Sequence, residues 1–208
     1  MSTVPGGPVD RDTPAGAIHL ARQRRAKPNG WWGMVLFLCS EVTIFGTMIA
    51  TYFYLQFGVH HWPPRGISPE KVAYPSIATG VLLLTTFTMW LAARAAGAGA
   101  RRTVLLMISL SLLIQGAFFG VQVALMSSDL SRFSPRSTAY GSIYYTLTGT
   151  HDAHVLVGCL LGLAVLWFVA RRGLTDYWST ATRALALYWY VVNTMAVFVL
   201  LTTLSPSL

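Results

Sequence analysis

The sequence predicts an all-α integral membrane bundle of five transmembrane helices, with the N-terminus cytoplasmic and the C-terminus outside. Three observations predict it. First, 54% of the 208 residues are hydrophobic and only 11% are charged, against about 25% charged in an ordinary soluble domain, and mean hydropathy is +0.53. Second, five apolar runs each reach the ~20 residues that a helix needs to cross the hydrocarbon core. Third, the basic residues fall mainly in alternate gaps between those runs. The net charge of +8 would suggest nucleic-acid binding in a soluble protein. Here it is better explained by membrane orientation, and no nucleic-acid partner is expected.

Residues 1–30 carry Gly, Pro and several Arg without sustained apolar periodicity. They read as a disordered, basic cytoplasmic tail. Pro28, Asn29 and Gly30 then punctuate the chain. The transmembrane domain is expected over 31–208, with spans at about 31–57, 74–96, 103–126, 142–170 and 182–203. These runs are apolar on every face, whereas barrel strands would alternate in polarity over ~10 residues.

Lys and Arg test the topology. Eleven of the 15 lie in the tail or near the gaps between the second and third and the fourth and fifth runs. These are Arg11, Arg22, Arg24, Arg25, Lys27, Arg94, Arg101, Arg102, Arg171, Arg172 and Arg183. The other side holds Arg65, Lys71, Arg132 and Arg136. That imbalance fits an odd number of crossings from a cytoplasmic N-terminus. Aromatics near the run ends, including Trp31, Trp32, Trp62, Trp90, Trp167, Tyr177 and Trp178, form the expected interfacial belt. His60 and His61, followed by Trp62-Pro63-Pro64, read as a polar interfacial turn, although the histidines are of a metal-ligating type.

Gly116 and Gly120 on the third run, and Gly158 and Gly162 on the fourth, show the small-xxx-small spacing that lets helix backbones approach. Cys39 and Cys159 lie inside apolar runs with no CxxC partner. They read as small buried hydrophobes.

Two carboxylates are placed within the spans, Glu41 and Asp152. Asp10, Asp12, Glu70, Asp129 and Asp176 are assigned to the tail or loops. An intramembrane carboxylate is a functional candidate by default. Glu41 lies roughly 21 Å beyond Lys27 along a helix axis, and His154 roughly 25 Å from Arg171 on the same side, at ~1.5 Å per residue. The two are therefore expected at similar depth and as partners. His151 sits one turn further out on the same face, beside Asp152. Pairing would offset the desolvation of each group. Three readings stay open: a polar clasp between helices, a lipid-headgroup site, or a proton-exchanging site.

A membrane b-type cytochrome needs axial histidines, usually spread over several helices; here the spans hold only His151 and His154, on one run. No paired cysteines suit a binuclear copper site. No P-loop, HExxH motif or Ser/His/Asp set appears. No metal ligands and no catalytic residue are assigned, and catalysis by this chain alone is not expected.

The stretch from Tyr140-Gly141-Ser142 through Thr148-Gly149-Thr150-His151-Asp152-Ala153-His154-Val155 to Gly158 resembles the signature of subunit III of the haem–copper respiratory oxidases: YGS, then TG, then H-x-x-H-V-x-x-G. Trp32-Gly33 with Ser40-Glu41 resembles that family's helix bearing a membrane-embedded Glu. Phe119-Gly120-Val121-Gln122 and Tyr188-Trp189-Tyr190-Val191-Val192-Asn193 resemble two further segments, in the family order. Asp152 stands where the family usually has Gly, and Tyr190 and Asn193 where it usually has His and Asp.

With five helices, the chain is similar to short bacterial cytochrome c oxidase subunits III. The resemblance implies a non-catalytic accessory subunit in the bacterial cell membrane, packed with subunits I and II of a complex that reduces oxygen to water and translocates protons. Haem and copper belong in that case to the partners. Bound phospholipid is expected in a cleft, and the subunit would sustain proton uptake and the stability of the catalytic subunit. The family roles extend to Glu41, His151 and His154. The corresponding subunit of a quinol oxidase and the related subunit accompanying nitric oxide reductase are close alternatives. A small transporter or proton channel is the alternative of another class. Transporters often carry internal repeats and broken helices. No repeat relates the runs, and runs one, three, four and five contain no Pro.

Overall fold

A computed structural model describes residues 29–65, 67 and 72–207. The expected tail falls almost wholly outside the described residues, as do Glu70 and Lys71. Five α-helices make up the described chain: α1 Asn29–Phe57, α2 Ala73–Gly97, α3 Arg101–Leu130, α4 Ala139–Arg172 and α5 Asp176–Leu204. A 3-10 turn, Ser205–Ser207, follows. All five helices are long and apolar enough to cross a membrane, and no strand occurs among the described residues.

The helices begin and end at local signals. Thr138 caps α4, its hydroxyl accepting from the Gly141 amide at 3.0 Å. Thr175 caps α5 by accepting from the Trp178 amide at 3.4 Å, with Asp176 in the first turn, where a carboxylate suits the positive end of the helix dipole. The α2–α3 and α4–α5 links are three residues each, and each uses a glycine at positive φ: Gly99 at +70° and Gly173 at +80°. Only glycine enters that region without a Cβ penalty.

The helices extend beyond the apolar runs. Asp129 lies in the last turn of α3 and Asp176 opens α5, not in loops. Arg94, Arg101, Arg102, Arg171, Arg172 and Arg183 are helical. At 34 residues, α4 is about 50 Å long at 1.5 Å per residue, well beyond a ~30 Å hydrocarbon core. Arginines at such ends reach back over aromatic rings, with the Arg171 guanidinium 4.4 Å from the Trp167 ring centroid and that of Arg172 5.2 Å from Phe168. This is the expected geometry for a charge at the membrane boundary.

The helices form a ring with one addition. Each of α2, α3, α4 and α5 packs on the next, and α5 closes back on α2. By contrast, among the described helices α1 packs on α4 and α5 alone. Its buried stripe is correspondingly narrow: Leu38, Phe45 and Tyr52, seven residues apart. Cys39 falls off that stripe and is exposed, while Cys159 is half-buried, so the expectation that both are buried is corrected.

Polar ties reinforce the ring. Asn193 Nδ2 on α5 donates to Thr85 Oγ1 at 3.0 Å and Thr86 Oγ1 at 2.8 Å on α2. Thr88 and Ser111 share a hydroxyl bond between α2 and α3. At one end, Arg101 donates to the carbonyls of Val169 and Ala170 at 3.2 and 2.8 Å. Ser179 donates there to the Ala96 carbonyl at 2.8 Å.

Candidate functional site

The intramembrane polar groups gather where α1 meets α4. Glu41 Oε2 lies 2.8 Å from His154 Nε2. Side-chain exposure is 15% for Glu41 and 17% for His154. The phase of α1 brings this about, because Leu38, Glu41 and Phe45 share one face at helical spacing. The Phe45 ring meets the His154 imidazole edge-on at 5.2 Å. From the other side, the Tyr188 hydroxyl of α5 donates to the His154 carbonyl at 2.7 Å.

The second nitrogen of His154 defines the protonation of the pair. Nδ1 lies 2.7 Å from the Thr150 carbonyl. A carbonyl only accepts, so Nδ1 carries a proton. Nε2 then either accepts from a protonated Glu41 or donates to the Glu41 carboxylate. One proton is shared in both states, and the pair is neutral overall in both. That is how a carboxyl group sits within an apolar span at low cost.

His151 and Asp152 are more deeply buried, at 3% and 6% exposure. His151 Nδ1 stands 3.8 Å from Asp152 Oδ1, beyond hydrogen-bond range. Among the described residues, His151 Nε2 and both Asp152 carboxyl oxygens have no hydrogen-bond partner. His151 makes an edge-on contact with Phe118 at 6.2 Å. The structure thus joins Glu41 to His154 directly, and sets His151 and Asp152 beside the pair without bonding them to it.

The two glycine pairs differ. A Cβ at Gly158 would stand 2.5 Å from Trp189 Cζ2, and one at Gly162 would stand 2.8 Å from Leu112 Cδ2. Both therefore admit bulky side chains of α5 and α3 against the α4 backbone. Gly116 and Gly120 are exposed, and a Cβ there would meet nothing within 4 Å among the described residues.

Several polar side chains had no signal in residue spacing. Gln115 is 0% exposed, and its amide has no partner among the described residues. Tyr188 reads as one more aromatic in an apolar run. Asp129 accepts from the Tyr144 hydroxyl at 3.2 Å. An aromatic group of Tyr52, Trp62, Phe133, Tyr140 and Tyr144 closes that end of the molecule. Among the described residues, no group of three or more His, Cys, Asp or Glu side chains could hold a metal ion.

An apolar cleft of about 480 Å³ separates the N-terminal part of α1 from α4 and α5. Met34, Leu161, Val165 and Ala184 form its walls, with Tyr177 and Asp176 at one end.

Residues 15–205 match the family described as cytochrome c oxidase subunit III. The chain belongs to the cytochrome c oxidase subunit III family. It is 30% identical over 150 residues to the cytochrome bo(3) ubiquinol oxidase subunit 3 of Pseudomonas aeruginosa, covering 71% of this chain and 70% of that one. It is 29% identical over 150 residues to the quinol oxidase subunit 3 of Bacillus spizizenii, covering 70% of each. It is 32% identical over 145 residues to the cytochrome c oxidase subunit 3 of Pisaster ochraceus, covering 64% of this chain and 55% of that one. The chain thus spans little more than half of the Pisaster protein and about two thirds or more of the two bacterial ones. As a subunit III with five apolar helices, it is a multi-pass membrane protein that associates with other oxidase subunits.

Proposed function

We propose that this chain is the accessory subunit III of a bacterial terminal respiratory oxidase, set in the cell membrane with its N-terminus cytoplasmic. It packs beside the catalytic subunit I and subunit II of a complex that reduces oxygen to water and translocates protons. Haem and copper reside in those partners. The observation that carries this reading is the family match along nearly the whole chain. The names of the relatives divide between quinol and cytochrome c oxidases, and the partners recovered with the chain identify the electron donor.

Two features supply the accessory role. The Glu41–His154 bond fastens α1 to the ring, with Gly158 and Gly162 allowing tight packing behind it. The cleft between α1 and α4/α5 suits phospholipid acyl chains: its walls are apolar, and the arginines and aromatics at the same membrane boundary suit a headgroup.

The test is purification through a C-terminal tag in mild detergent. A haem-bearing large subunit and phospholipid are expected to co-purify. Recovery of the folded chain with no haem protein, from cells that respire aerobically, would overturn the reading.

A further inference from the structure

His151 forms part of the walls of two cavities. One, about 10 Å³, lies against Glu41, His154 and Phe45, at the lower limit for a single water. The other, about 30 Å³, holds His151 together with Thr79, Gln122, Thr148 and Thr203. A volume of ~10–15 Å³ on this measure admits one water, which needs two to four polar partners. The second cavity meets both conditions. Its threonine hydroxyls keep free acceptor sites, because Thr148 and Thr203 donate to the carbonyls of Tyr144 and Leu200.

The second cavity also has a direction. Thr203 is one residue from the end of α5, and Pro75 is two residues into α2. Ala196, at the depth of His151, also lines it. From Ala196 to Thr203 is about 10 Å along the axis at 1.5 Å per residue. The cavity thus lies between His151 and the end of the bundle where α2 begins and α5 ends. Behind His151 stand the titratable groups Glu41 of α1 and Asp152 and His154 of α4. Tyr188 faces the same region from α5, and no ionisable group of α2 or α3 lines either cavity.

We propose that His151 anchors an internal water site in the larger cavity, and that this site gives the Glu41–His154 pair proton exchange with that one end of the bundle. His151 Nε2, buried and without a protein partner among the described residues, is the group that holds the innermost water. The step is an exchange: one proton reaches the pair as one leaves, so its neutrality is kept. Access is one-sided, because every residue that lines the larger cavity lies in the half of its helix toward that end. The water site lies in the interior of this chain, whichever oxidase the chain serves.

The test uses the full chain, labelled with ¹⁵N-histidine, in phospholipid bilayers. Water-edited solid-state NMR measures magnetisation transfer from water to each imidazole. The exposed His60 and His61 give the reference rate, and His151→Phe assigns the signal. Transfer to His151 approaching that of His60 is expected in the native chain. Thr203→Leu or Gln122→Leu, each filling the cavity, should reduce it several-fold and slow deuterium exchange at the His154 ring. Absence of transfer in the native chain would overturn the proposal. So would transfer and exchange left unchanged by either filled-cavity variant with the other histidine signals intact.

Discussion

Glu41 and His154 lie 113 positions apart in the chain and share one hydrogen bond of 2.8 Å. His154 Nδ1 is held on the Thr150 carbonyl, and the bond joins the peripheral helix α1 to the ring. Loss of one partner leaves the other buried and unsatisfied.

Glu41→Ala is therefore expected to destabilise the docked state of α1 by about 1–3 kcal/mol, the usual cost of an orphaned buried polar group. Glu41→Gln keeps a donor for Nε2 and should retain most of that stability. Thermal unfolding of the purified protein in mild detergent checks both. Equal loss in the two variants would show that the shared proton, not the bond, is what matters.

The two glycine pairs should respond differently. Gly158→Ala forces a methyl into the rings of Trp189 and Tyr188, an overpacking that costs about 1–3 kcal/mol. Gly116→Ala meets open space and should be neutral or stabilising by up to about 1 kcal/mol, from helix propensity. The same melting measurement compares them, and an equally damaging Gly116→Ala would place that face against another subunit.

Asn193→Leu removes the bonds from α5 to Thr85 and Thr86. Interhelical hydrogen bonds in membranes are worth about 0.6–2 kcal/mol, and a loss in that range is expected. A double-mutant cycle with Thr86→Val should show coupling. Strict additivity would mean that Asn193 acts by shape alone.

How much of this was legible in the sequence depends on what kind of signal each residue sends. A carboxylate in an apolar run is rare enough to mark itself. Counting from Lys27 and Arg171 placed Glu41 and His154 at one depth, and depth along parallel axes survives folding well. Rotation about those axes does not. Gly116/Gly120 and Gly158/Gly162 share one spacing, yet only the α4 pair faces neighbouring helices, because face depends on which helices flank it. Cys39 reads as a core residue until the narrow stripe of α1 turns it outward. Tyr188 and Asn193 reach partners through tertiary contacts that no local pattern announces. Helix ends are poorly marked by hydropathy: α3 continues through polar Ser127, Ser128 and Asp129, and the Thr175 cap starts α5 at Asp176, ahead of its apolar run, so both carboxylates read as loop residues.

Among the described helices α1 meets α4 and α5 alone, and this has a consequence for biogenesis. α1 is synthesised before α4 and α5, so it finds its seat only once those two have entered the bilayer, and synthesis precedes docking by three helices. Until then its carboxyl group has no imidazole to meet. Chains halted after α3 should thus leave α1 open to chaperone or insertase contacts that the finished bundle excludes, and site-specific crosslinking of such intermediates would reveal that waiting state.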